Sequence, residues 1–109
     1  MGIRSLLGLG ERKPIVLEYL NKGAVIIDLR EIEAFKAGSI KSSTNIEFDT
    51  LNENVIKIKT MNRSVVLCCN AGFKSDLASI ELKKNGVDVI NGGSWKRLKK
   101  IMDKNGFNT

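Results

Sequence analysis

Two short runs, Ala24-Val25-Ile26-Ile27-Asp28 and Val65-Val66-Leu67-Cys68-Cys69, are apolar at almost every position. A strand with one wet face alternates polar and apolar residues, whereas a strand buried on both faces does not. Each run therefore needs cover on two sides. A chain of 109 residues supplies that cover by packing helices on both faces of a mostly parallel sheet. The fold class expected is a three-layer α/β domain.

The segments around the runs read as those helices. Pro14 suits a first helical turn. Ile15, Val16, Tyr19 and Leu20 then share one apolar face, and Gly23 is placed to stop the helix. Ile32 and Phe35 predict a short helical turn closed by Gly38. Asp49 is placed to cap a helix in which Leu51, Val55 and Ile58 recur at helical spacing. After the second run, Asn70-Ala71-Gly72 signals a turn. A helix is expected from about Ser75 to Asn85, with Leu77, Ala78 and Leu82 inward and Gly86 as its stop. Val87–Ile90 predicts a further strand ended by Gly92-Gly93. A last helix begins near Ser94, with Trp95, Leu98, Ile101 and Met102 on one face and Gly106 after it. The organisation expected is a loosely held segment over residues 1–13, one domain over 14–105, and a tail over 106–109.

Composition narrows the chemistry. The chain has no His and two Cys. That excludes Ser-His-Asp and Cys-His pairs, His-ligated zinc and imidazole acid/base catalysis. Two Cys are too few for a disulfide framework or a Cys-only zinc site. Any catalysis falls to a thiol, carboxylates, amines and backbone amides, and no cofactor is implied. The N-terminal apolar stretch Leu6-Leu7-Gly8-Leu9-Gly10 is shorter than the roughly 7–15 residues of a signal peptide or the about 20 of a membrane helix. The Ser/Thr that would complete a myristoylation signal from Met1-Gly2 is Leu6. A cytoplasmic protein without a membrane partner is expected.

In parallel α/β sheets ligands bind beyond the carboxyl ends of the strands. One such end is Cys69, followed by Asn70-Ala71-Gly72-Phe73-Lys74 and then a helix. A loop of this kind can turn several N–H groups toward one point, and the helix N-terminus adds partial positive charge. A thiol held there ionises more readily, and the thiolate is the nucleophile. Lys74 is a further cation nearby, and Gly72 lets the backbone approach whatever the thiolate holds. The alternative is that a Cys is merely a small apolar core residue. Neighbours on a strand face opposite ways, so Cys68 is expected in the core and cannot share a site with Cys69.

Three segments together resemble the rhodanese-like (sulfurtransferase) domain. Ile27-Asp28-Leu29-Arg30-Glu31, with Phe35, Gly38, Ile40 and Asn45-Ile46 after it, resembles the family's strand ending in Asp-x-Arg and its Phe-x-x-Gly-His-Ile signature. Val65–Ser75 resembles its cysteine loop, and Asn91-Gly92-Gly93-Ser94-Trp95 its Gly-Gly-x-Trp segment. The resemblance spans roughly Pro14 to Leu98. It implies a rhodanese-type sulfurtransferase. Cys69 would take sulfane sulfur from a small donor such as thiosulfate or a persulfide, hold it as a persulfide, and pass it to a thiol or cyanide-like acceptor. Asn70, Ala71, Gly72, Phe73, Lys74 and Ser75 would bind the outer sulfur and any anionic donor. A low-turnover binding or sulfur-relay module for a partner protein is the competing reading. The sequence departs from the family at three places. Ser39 stands for the usual His, while Lys74 and Asn70 stand where Arg is common. A Lys cannot grip an oxyanion bidentately. The related Cys-x5-Arg phosphatases and arsenate reductases need Arg where this chain has Ser75, which weighs against phosphate-monoester chemistry.

Asp28 and Arg30 reach the same mouth, and an ion pair bracing the loops is favoured there over direct substrate contact. Trp95 fits a core position on the last helix better than a pocket wall. Phe73 has no helical core phase to serve, so it is expected to shape the entrance or touch a partner. Basic residues number nine against eight acidic through residue 60, and nine against four after it. Lys96, Arg97, Lys99, Lys100 and Lys104 crowd the last helix. They read as a solvated face, or as a docking surface for an acidic partner protein. Nucleic acid is disfavoured, because no aromatic stacking set accompanies them.

Overall fold

The computed structural model describes residues 12–109. The N-terminal readings on Met1-Gly2 and Leu6–Gly10 lie outside the described residues. Helix α1 (Arg12–Asn21) leads into strand β1 (Val25–Asp28), then helix α2 (Ile32–Ala37) and strand β2 (Thr44–Asn45). A 3-10 helix (Phe48–Asn54) runs directly into α3 (Val55–Thr60). Strand β3 (Val65–Cys69), helix α4 (Phe73–Lys84), strand β4 (Val89–Ser94) and helix α5 (Trp95–Lys104) complete the order. The four strands form one sheet in the order β2-β1-β3-β4, and every pairing is parallel.

Both apolar runs are central strands buried on both faces, as their lack of alternation requires. Their side chains part by the two-residue strand period. Ile27, Val65, Leu67 and Cys69 face a layer built from the 3-10 helix, α3 and α4, which contributes Leu51, Ile58, Ala78 and Leu82. Ile26, Val66 and Cys68 face the opposite layer, where α1 and α5 contribute Val16, Leu20, Leu98 and Met102. The Ser94 hydroxyl caps α5 by accepting from the Arg97 N–H at 3.1 Å. Gly23, Gly86 and Gly106 all take positive φ beyond helix ends, as their positions imply. None of the described helices is long and apolar enough to cross a membrane.

Four local expectations are corrected. Asp49 does not cap a single helix. Glu47 occupies the N-cap of the 3-10 helix without a side-chain bond. The Asn54 amide donates to the Thr50 carbonyl at 2.9 Å, taking the acceptor that the residue-54 N–H would use in an α turn. Helix α4 starts at Phe73 rather than Ser75, because Gly72 serves as its N-cap with φ +92°. Ile15 and Leu77 turn to solvent. The buried stripe of α4 is Ser75, Ala78, Ser79 and Leu82.

The fourth correction is β4, which passes through both glycines to Ser94 instead of ending at them. Leu67 pairs with Asn91 and Cys69 with Ser94. Two steps along β3 thus match three along β4, a bulge at the level of the cysteine. Gly93 takes φ +85° there. Gly92 lies so close to β3 that a Cβ would sit 2.7 Å from Val66 Cγ1 and 2.8 Å from the Leu67 carbonyl oxygen. The carbonyl cannot swing aside as a side chain can. Gly92→Ala is therefore expected to cost about 1–3 kcal/mol through overpacking. A lowered urea midpoint with an unchanged m-value would show it, and an unchanged midpoint would refute it.

The last four residues run back across the domain. Phe107 packs beside the α1/α5 layer, and the Lys41 N–H donates to the Thr109 carbonyl at 2.8 Å.

Candidate active site

Strand β3 delivers Cys69 to the carboxyl edge of the sheet, and the turn over Asn70–Gly72 feeds α4. The positive φ of Gly72 folds the turn back over the sulfur. The Gly72 N–H then donates to Cys69 Sγ at 3.1 Å, and the Ser75 N–H donates at 3.3 Å. The thiol itself donates to Ser75 Oγ at 3.3 Å. Ser75 is fully buried, and Cys69 is only 3% exposed. Burial opposes ionisation of Cys69. The Ser75 hydroxyl contact and the N–H groups of Ser75, Gly72 and Ala71 act against burial, and the balance lies below the ordinary thiol value. Cys68, on the other face, goes the opposite way. Burial pushes its thiol far up, nearby Asp28 adds to that, and Arg30 offsets part of it.

In front of the sulfur lies a cavity of about 450 Å³, lined by Arg30, Glu31, Ala34, Cys69, Asn70, Ala71, Phe73 and Lys74. Five of the seven loop residues anticipated from the sequence therefore face it: Cys69, Asn70, Ala71, Phe73 and Lys74. Gly72 and Ser75 lie behind, holding the sulfur. Phe73 is 72% exposed at the rim. Lys74 sends its ammonium to within 5.7 Å of the Phe48 ring centroid.

Asp28 and Arg30 brace the mouth. Asp28 is fully buried. Arg30 forks onto it, with Nε 3.1 Å from both carboxylate oxygens and Nη2 2.9 Å from Oδ2. The same guanidinium donates to the Gly38 carbonyl at 2.6 Å and to the Ala34 carbonyl at 3.3 Å, fastening α2 to the end of β1. The Trp95 ring supports it from 4.3 Å. Trp95 thus packs against the core and Arg30, and it does not line the cavity. Ser39, between the half-buried Gly38 and the buried Ile40, does not line the cavity.

Two residues quoted in the sequence only as parts of family-like segments turn out to brace the site. Asn45 ties the carbonyls of Asp28 and Arg30 through its amide nitrogen, at 3.0 and 2.9 Å. Asn91 bonds to Ser75, Gly72 and Gly93. An asparagine inside a strand beside Gly-Gly was the available signal for the second. Among the described residues no three His, Cys, Asp or Glu side chains converge to hold a metal ion.

A parallel α/β domain that fastens one thiol under backbone amides at a strand's carboxyl end defines a class: single-sheet domains built around a cysteine loop. The comparisons narrow it. The model of the rhodanese-like domain matches residues 14–100, and the chain belongs to that family. A curated relative, tRNA uridine(34) hydroxylase of Buchnera aphidicola subsp. Baizongia pistaciae (strain Bp), is 29% identical over 87 residues; these are 72% of this chain but only 28% of the relative's length. The crystal structure of a rhodanese-like domain protein from Staphylococcus aureus is 26% identical, with TM-score 0.64 over 72% of this chain and 76% of that one. The human single-domain sulfurtransferase TSTD1 shares the fold, with TM-score 0.63 at 21% identity over 80% of this chain and 92% of that one.

Proposed function

We infer that the domain transfers sulfane sulfur through a persulfide on Cys69. The observation that supports this most is the sulfur's environment: two N–H groups aimed at Sγ, with an open cavity beyond it. The Cys69 thiolate attacks the outer sulfur of a donor R–S–S⁻. The donor's S–S bond breaks, RS⁻ leaves, and Cys69 carries S–S⁻. An acceptor thiolate or cyanide then takes that outer sulfur, and the Cys69 thiolate returns. Sulfur moves at constant overall oxidation state, and no imidazole is needed at either step. The amide donors stabilise the negative sulfur through both halves.

The site favours a persulfide over thiosulfate as donor. Arg30 is committed to Asp28, Gly38 and Ala34, so Lys74 is the remaining cation on the cavity for a sulfonate. A relay function with a partner protein has one observation of its own, the exposed Phe73 at the rim. The basic face of α5 would serve an acidic partner, and two free thiols suit a reducing compartment such as the cytoplasm.

The test is intact-mass measurement of the reduced protein after exposure to glutathione persulfide or thiosulfate. The expected result is a gain of one sulfur, kept in Cys68→Ala, lost in Cys69→Ser, removed by cyanide, and reached faster with the persulfide. Sulfur that still loads onto Cys69→Ser, or no gain with either donor, would overturn the reading; in the second case the relay function takes its place.

A further inference from the structure

Asn91 does not line the cavity, yet it controls the one hydroxyl that touches the sulfur. Its amide is oriented from both ends. Nδ2 donates to the Gly72 carbonyl at 3.1 Å, and Oδ1 accepts from the Gly93 N–H at 2.8 Å. Turning the amide over would set donor against donor and oxygen against oxygen. Oδ1 therefore faces Ser75 Oγ, 2.6 Å away, and Ser75 donates to it. The other acceptor within reach of Ser75 is the Gly72 carbonyl at 3.2 Å. That oxygen already receives the Asp76 N–H at 3.1 Å and Asn91 Nδ2.

A serine hydroxyl has one hydrogen. Once it points at Asn91, Ser75 shows Cys69 only lone pairs, and the short chain runs S–H to Oγ, then O–H to Oδ1. Such a chain polarises in one direction, so the downward pull of the Ser75 hydroxyl on the Cys69 titration, which needs that hydrogen on the sulfur, works against the bond to Asn91. For Ser75 to donate to a thiolate instead, it must turn its hydrogen away. The Ser75 and Asn91 oxygens would then meet lone pair to lone pair across 2.6 Å. The Ser75 hydroxyl can help the thiolate only by breaking that contact, while the amides of Gly72 and Ser75 help it unconditionally.

We propose that Asn91 is a positioning residue that holds the Ser75 hydroxyl hydrogen away from Cys69 and so sets the pH at which the thiolate forms. The proposal rests on Cys69 being the reacting thiol of the function above. The charged groups around that thiol are Arg30 and Glu31 from the segment after β1, and Lys74 and Asp76 in the first turn of α4. Asp28 and Cys68 lie toward the other face of the sheet. The substitutions below leave all of them in place.

The test is the pH dependence of Cys69 alkylation by iodoacetamide, read by fragmenting the peptide that carries both cysteines so that the label is placed on Cys69 rather than Cys68. Asn91→Leu, which keeps the branched skeleton of asparagine with somewhat bulkier ends, removes the acceptor and frees the Ser75 hydrogen for sulfur. The thiol titration is expected to move down by about one pH unit. In a Ser75→Ala background the same substitution is expected to move it by much less. A merely structural role predicts the opposite sign, because a slackened loop withdraws the Gly72 N–H and raises the titration. A rise, no change, or a drop that persists without Ser75 would each overturn the proposal. Asn91→Ala reads the same sign if Asn91→Leu does not fold. The measurement needs no sulfur donor. A protein that shows the shift but loads no sulfur keeps this assignment and loses the proposed function.

Discussion

Cys69→Ser is expected to reduce sulfur loading to background while leaving the fold intact. The oxygen is slightly smaller than sulfur and sits in the same nest, where the N–H groups of Gly72 and Ser75 donate to it as they do to Sγ. The cradle therefore keeps its partners and the helix keeps its start. The chemistry is what goes. A serine hydroxyl stays protonated at neutral pH, and no imidazole is available to activate it in a chain without His. Cys68→Ala is the control. Cys68 is fully buried between α1 and α5, so its loss costs about 1 kcal/mol of stability and leaves loading unchanged. Intact masses of the three proteins after one donor exposure decide the matter. Loading that survives Cys69→Ser, or vanishes in a folded Cys68→Ala, would refute the assignment of the thiol.

The sequence made the two central strands and the opposite facing of the two cysteines readable for one physical reason. A doubly buried strand leaves a continuous apolar run, and its period of two sends adjacent residues to opposite faces. Cys68 and Cys69 follow from that alone, as does the position of the loop at a strand's carboxyl end. The Arg30–Asp28 pair was also readable, since both residues flank the end of β1. What stayed hidden depends on contacts across the chain. Gly92 and Gly93 look like a strand stop, but β4 runs on through both: at Gly92 the neighbouring strand lies too close for a side chain, and Gly93 takes the positive φ at the bulge. Ile15 and Leu77 match a helical stripe in the sequence, yet the stripe that is buried lies to one side of each. Asn91 meets Gly72 and Ser75 from 16 and more residues away, and the local signal, an asparagine beside Gly-Gly, does not name those partners. The cradle's donors come from the loop and α4, while the orientation of its one hydroxyl comes from β4.

Asp28→Ala is expected to cause the largest loss of stability of any substitution near the site, about 3–5 kcal/mol. The carboxylate has no exposure, and the Arg30 side chain has 9%. Removing the carboxylate leaves a guanidinium under the Trp95 ring with only the Gly38 and Ala34 carbonyls to face. It also leaves the Arg30 N–H without the Asp28 oxygen it donates to at 3.0 Å. Against a total of about 5–15 kcal/mol for a small domain, that is a large share, and urea unfolding reads it directly. Most of the cost belongs to the orphaned cation rather than to the pair itself. The same Asp28→Ala change in an Arg30→Met background is therefore expected to cost much less, and the double-mutant cycle gives the difference. Equal costs in both backgrounds would show that the pair is not what holds β1 to α2. The effect on sulfur loading separates the two sides of the cavity. Ala34 and Glu31 lose their anchor when Arg30 loses Asp28, whereas the amides on Cys69 come from the loop and α4. Loading is thus expected to slow in a folded Asp28→Ala protein and to persist, in contrast to its disappearance when the thiol is replaced.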